Sequence, residues 1–120
     1  MRLEPVELAR RGEALAAEFL EGKGYLIVER NRRLRGGEID LIAHDGDCIV
    51  FVEVKTRSGH AFPPAEGVDG RKQHRLRALA QQWLWEERCT GRPCRFDVVA
   101  IYMDRRPPHT ARVEHIRGAF

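Results

Sequence analysis

The sequence predicts an α/β domain in which helices flank a mixed β-sheet, in the order α-β-β-β-α-β-β. Three observations carry this. An apolar stripe at helical spacing opens the chain, and an Asp-Gly pair in its middle joins two strands of alternating hydrophobicity. A helical segment then lies between two apolar runs, as in a parallel β-α-β crossover. At 120 residues, 42% hydrophobic and 32% charged, the chain is expected to be one domain spanning residues 1–120 with a single core.

Glu4-Pro5 opens the first helix, with proline in the first turn. Leu8, Gly12, Leu15, Ala16, Phe19 and Leu20 form its apolar stripe, and Gly22 and Gly24 end it. Tyr25 to Arg30 reads as a strand, and Asn31 to Gly37 as a basic loop. Glu38 to His44 and Asp47 to Lys55 read as a hairpin around Asp45-Gly46. Ser58 to Asp69, with Pro63-Pro64, reads as a loop. Gly70 to Arg88 is the second helix, burying Leu76, Leu79, Ala80 and Trp83 and broken by Gly91 and Pro93. Phe96 to Tyr102 has the apolar continuity of a strand buried on both faces. Arg105 to Pro108 is a turn, and Ala111 to Ile116 a last edge strand.

Several classes are excluded early. No apolar run approaches the ~20 residues of a membrane span. The first 22 residues carry five glutamates and no signal-like apolar run, so a cytoplasmic location is expected. Cys48, Cys89 and Cys94 form no CxxC pair, which argues against a disulfide framework or a structural zinc site. Cys48 is expected in the core. The five histidines lack metal-binding spacing and read as surface or loop residues. Trp83 reads as core, and Trp85 as exposed and available to a partner.

Charge is segregated. Residues 22–37 carry a net +4, residues 38–53 a net −5 and residues 54–77 a net +4. A divalent cation suits the middle segment and a polyanion the flanks. A solvated hairpin with charged loops accounts for the same counts.

The hairpin register sharpens this. With Asp45-Gly46 as the turn, alternation puts Glu38, Asp40, Ile42, Ile49, Phe51, Glu53 and Lys55 on one face. Ile39, Leu41, Ala43, Cys48, Val50, Val52 and Val54 take the other. Asp40 and Glu53 become diagonal neighbours within reach of one shared ion. Clustered carboxylates repel, and a divalent metal removes that cost; Mg²⁺ is commonly held by one or two carboxylates, waters and a substrate phosphate. Lys55 projects to the same side, where an ammonium can stabilise charge on a phosphate. The chain has 18 arginines but only three lysines, which favours a compact ammonium at this position. An exposed hairpin end with a Glu–Lys pair is the competing explanation.

Gly36-Gly37-Glu38-Ile39-Asp40-Leu41-Ile42-Ala43 and Val50-Phe51-Val52-Glu53-Val54-Lys55-Thr56-Arg57 closely resemble the YraN-like family of the PD-(D/E)xK nuclease superfamily, which is similar to archaeal Holliday junction resolvases. Weaker pieces are Arg11-Gly12-Glu13, Gly24-Tyr25, Arg30-Asn31, Lys72-Gln73, and Arg95 to Val99, so the resemblance spans roughly residues 8–102. It implies a restriction-endonuclease-like fold. It maps the superfamily pattern onto Asp40, Glu53 and Lys55, with Glu13 as an assisting carboxylate on the first helix. Glu18 competes for that place. Asp40, Glu53 and Glu13 would hold Mg²⁺ or Mn²⁺, and Lys55 would be the catalytic lysine. Ile39 stands where the superfamily has proline, which removes no ligand. Glu38 is open between a supporting acid and a partner of the basic segment. Asp97 is expected to make a structural hydrogen bond.

Under this resemblance the expected activity is metal-dependent hydrolysis of DNA, ahead of RNA, on branched or repair intermediates. Arg32, Arg33, Arg35, Arg57, Arg71, Lys72 and Arg75 would contact phosphates. Paired incision makes a symmetric homodimer the expected assembly by analogy. The alternative is a nucleic-acid-binding module of nuclease fold, weak in catalysis, that recruits a repair partner.

Overall fold

The computed structural model describes residues 1–59 and 68–120; Pro63-Pro64 and His60 lie outside the described residues. The elements are α1 (Pro5–Gly22), β1 (Leu26–Leu34), β2 (Gly37–Asp45), β3 (Cys48–Ser58), α2 (Gly70–Glu86), β4 (Cys94–Met103) and β5 (Ala111–Ile116). The five strands lie in sequence order across one sheet. Among the described residues only β3 and β4 are parallel, joined through α2. This is the predicted α-β-β-β-α-β-β order, compatible with a restriction-endonuclease-like fold.

Each face of the sheet buries one helix. Leu8, Ala16, Ala17 and Leu20 of α1 pack on Leu41, Ala43, Val50, Val52, Val99 and Ile101. Leu76, Leu79, Ala80 and Trp83 of α2 pack on Ile39, Ile42, Ile49, Phe51, Phe96 and Val98. β4 contributes to both clusters, which explains its unbroken apolar run. Trp85 points outward, 77% exposed.

Four expectations need correction. β1 does not stop at Arg30 but runs on to Leu34, through the segment expected to be a basic loop. Its charged residues stay in the strand because β2 pairs with them as far as Leu34–Gly37. The hairpin turn is Gly46-Asp47, with Asp45 paired to Cys48, so the register moves by two residues. An even shift by itself preserves the alternation of faces, so Asp40 and Glu53 stay on one side. Cys48 is half-buried rather than core. His115 is not a surface residue: its side chain is 1% exposed and its Nε2 lies 2.8 Å from Asp97 Oδ2.

Asp97, paired across to Val52 of β3, anchors β4. Its carboxylate also receives Arg95 Nε and the Gly118 backbone N–H, each at 3.0 Å. Burial alone would push this carboxyl up, but His115, Arg95 and the Gly118 N–H together hold it below the usual aspartate range. The arrangement ties β5 and the C-terminal residues to β4, as expected of a structural hydrogen-bond centre.

One departure from strict alternation matters for the site. Asn31 adopts φ 49, between the Arg30–Leu41 and Arg32–Ile39 pairs. Ile39 packs into the α2 cluster rather than beside Leu41, and Glu38 accepts from Asn31, whose amide also reaches Glu13 of α1.

Gly12 sets how closely α1 approaches the sheet. A Cβ at this position would lie 1.9 Å from Thr56 Oγ1. We expect Gly12→Ala to destabilise the fold by roughly 1–3 kcal/mol through overpacking, although alanine is favoured in helices by about 1 kcal/mol. Gly22→Ala, in the same helix with nothing within 4 Å of the new Cβ, should stabilise by about a few tenths of a kcal/mol. Chemical denaturation of the two variants checks this; shifts of the same sign would contradict the close approach.

Candidate active site

The β2–β3 ladder ends at Leu41–Val52. Beyond that pair, Asp40 Oδ2 accepts the Val54 backbone N–H at 2.8 Å. A side chain has taken the place of a ladder carbonyl, so the two strands part while their hydrogen bonding stays satisfied. In the observed register Asp40 stands opposite Glu53 rather than diagonal to it.

β3 pairs with β4 without irregularity from Ile49 to Ser58, so alternation holds along it. Phe51, Glu53 and Lys55 share the α2 face, while Val52, Val54 and Thr56 face α1. Glu53 is buried, 7% exposed, and its charge acts directly on the Asp40 carboxyl. Lys55 is half-buried, one step further along the same face.

Two elements complete the surroundings. On α1, Glu13 accepts from Asn31 Nδ2 at 3.0 Å. The same amide donates to Glu38 at 2.8 Å, so Asn31 bridges the two acids. Glu13 is half-buried and Glu18 is exposed, which favours Glu13 of the two candidates. On α2, Asp69 caps the helix by accepting the Lys72 backbone N–H at 2.9 Å. The Lys72 ammonium turns inward to an ion pair with Glu53.

The electrostatic result is a strongly perturbed carboxyl. Burial, then the Glu53 charge, and more weakly the Glu13 charge push Asp40 up to about 8, against the opposing Val54 N–H. Perturbed acids of this kind concentrate at functional sites. Among the described residues no three His, Cys, Asp or Glu side chains converge tightly enough to enclose a metal. Glu13 is turned to Asn31 and does not close the pair into a triad. Asp40 and Glu53 are nonetheless two hard carboxylates, the donor chemistry that suits Mg²⁺ or Mn²⁺.

The expected phosphate ligands divide. Arg33, Arg35, Arg57, Arg71 and Arg75 are exposed. They lie on β1, the β1–β2 turn, the end of β3 and the first turns of α2. Arg57 Nη1 donates to the Thr56 carbonyl at 3.3 Å. The Arg35 backbone exchanges two hydrogen bonds with the Gln82 amide, fixing the β1–β2 turn on α2. Arg32 leaves the set. Its guanidinium lies 2.8 Å from Glu29, 3.1 Å from Glu86 and 3.4 Å from Glu87, and Glu29 also accepts from the Trp83 indole. Lys72 belongs to the carboxylate pair rather than to the outer surface. Asn31 and Gly12 were not singled out from the sequence as positioning residues. An asparagine next to four basic residues reads as loop, and its φ of 49 is visible only in the fold.

The raised Asp40 carboxyl has a stability consequence. The folded state keeps this proton up to about pH 8, whereas the unfolded carboxyl loses it near 3.8. Stability from this group is therefore greatest at acid pH and falls as pH rises from about 4 to about 8. Asp40→Asn should melt higher than the native chain at pH 8 in chelator, with the gap closing towards pH 4. A pH-independent gap, or a less stable variant at pH 8, would contradict the burial of this charge.

A family model described as "Uncharacterised protein family UPF0102" matches residues 12–101. A UPF0102 protein of Moorella thermoacetica is 54% identical over 110 residues, covering 91% of each chain. One from Pelotomaculum thermopropionicum is 49% identical over 114 residues, covering 94% of each. One from Geobacter metallireducens is 46% identical over 121 residues, covering 100% of this chain and 97% of its own. The chain thus belongs to the UPF0102 family, the YraN group of the PD-(D/E)xK nuclease superfamily.

Proposed function

We propose that this chain is a metal-dependent endonuclease that hydrolyses DNA phosphodiester bonds, with branched or repair intermediates as its substrates. The observation that carries the reading is the meeting of Asp40 and Glu53 where β2 and β3 part, with Lys55 next on the same face of β3.

Asp40 and Glu53 would hold Mg²⁺ or Mn²⁺, with Glu13 kept beside them by Asn31 as the assisting carboxylate. The ion would supply a Lewis acid for the scissile phosphate and an acidified water. The Asp40 carboxyl must shed its proton to become a ligand, so metal binding and proton release are linked. Lys55 would place a positive charge beside the phosphate oxygens as charge accumulates on phosphorus, or orient the attacking water. Arg33, Arg35, Arg57, Arg71 and Arg75 would grip the flanking backbone, which orients a duplex without reading its sequence. An assembly of two chains would supply the paired incisions a branched substrate requires.

The test is a cleavage panel of duplex, single strand, flap and four-way junction, in Mg²⁺, Mn²⁺ or chelator. Metal-dependent cutting of the branched forms is expected. Lys55→Ala should lose about 10²–10³-fold in rate, the usual loss for an electrostatic stabiliser, and Glu53→Ala at least as much. DNA binding in the panel should weaken steeply with salt. Salt-sensitive binding without cuts under any metal, unaffected by Asp40→Ala, would replace this reading with a recruiting module of nuclease fold.

A further inference from the structure

We propose that Lys72 is a built-in place-holder cation, which neutralises Glu53 while the site lacks a metal and is displaced towards the DNA backbone when a divalent ion binds. The inference rests on the metal-site reading above and extends it to a residue that the superfamily pattern mapped on this chain does not include.

Three observations converge. The Glu53 side chain is only 8% exposed, so its charge needs a partner inside the fold. That partner is the Lys72 ammonium, delivered by the first turn of α2, a helix whose start is fixed by the Asp69 cap on the Lys72 backbone. The Lys72 side chain itself is 35% exposed, so a rotation about its flexible stem can return the ammonium to solvent without moving the helix.

The ion pair therefore sits on the carboxylate that a metal would use. A divalent ion held by Asp40 and Glu53 and an ammonium on the same Glu53 carboxylate repel each other, so the two cations compete. Once displaced, Lys72 lies at a helix N-terminus beside the exposed Arg71 and Arg75, a setting suited to a phosphate oxygen. The device keeps the carboxylate pair compact and stable before metal and DNA arrive. It costs some metal affinity, and bound DNA restores that affinity by giving the ammonium another anion.

The experiment uses the full chain in four forms: native, Lys72→Met, Glu53→Gln and the double variant, with Lys72→Arg as the charge-retaining control. Each is stripped with chelator, melted, and then titrated calorimetrically with Mg²⁺ alone. Lys72→Met should melt lower than native without metal, and the loss should largely vanish when Glu53 is already Gln. Lys72→Met should bind Mg²⁺ roughly tenfold more tightly than native, within the range usual for coupled sites, while Lys72→Arg stays near native. Added short duplex should narrow the difference. Equal or weaker Mg²⁺ binding by Lys72→Met would overturn the place-holder. Where native protein binds Mg²⁺ and Glu53→Gln does not, that outcome for Lys72→Met leaves the metal site standing and removes only this inference. Absence of Mg²⁺ binding in every form would overturn both. Binding by Lys72→Met alone would support the place-holder in its strongest form.

Discussion

The hydrogen bond from the Val54 N–H to the Asp40 carboxylate is the interaction on which the site depends. A continuous β2–β3 ladder would have carried backbone pairing past Leu41–Val52 and left no fork. Replacing one ladder carbonyl with a side-chain oxygen ends the pairing without leaving a buried donor unmet. It also turns Asp40 inward, against Glu53. The fold thus builds an acidic fork from an ordinary hairpin by changing one hydrogen-bond acceptor.

That fork is electrostatically expensive, and the neighbouring residues offset it piece by piece. Asp40 keeps its proton into the neutral range because burial and Glu53 both penalise its charge. Glu53 is covered by Lys72. Glu13 and Glu38 share the Asn31 amide. Gly12 lets α1 lie against Thr56, which brings the next residue, Glu13, to the site. These devices come from α1, β1 and α2, so the fork is the point where every layer of the domain meets. A metal-binding site held in readiness would carry this signature of stability given up locally and restored by neighbours.

Much of this was legible in the sequence because the relevant signals were local. The helical stripes, the acid-lysine face of β3 and the Asp-Gly hairpin follow from periodicity. The turn moved by one position at each strand end, and the two-residue register change left parity intact, so Asp40 and Glu53 kept their face and came closer. What could not be read was long-range. Asn31 to Leu34 lacks apolar alternation and looks like loop, yet pairing with β2 makes it strand. Arg32 looked like a phosphate ligand until Glu29, Glu86 and Glu87, two of them more than fifty positions away, closed around it. His115 looked peripheral until β5 laid it on Asp97. In each case the partner that decided the residue's role was supplied by another element of the fold.

The central claim is that Asp40 and Glu53 form one divalent-cation site at the fork. Anomalous diffraction from crystals of the native chain soaked in Mn²⁺ tests it most directly. The account predicts a single strong peak bonded to both carboxylates, with the Lys72 ammonium moved off Glu53. A peak elsewhere on the chain, or none at the fork with Lys72 still paired to Glu53, would contradict it.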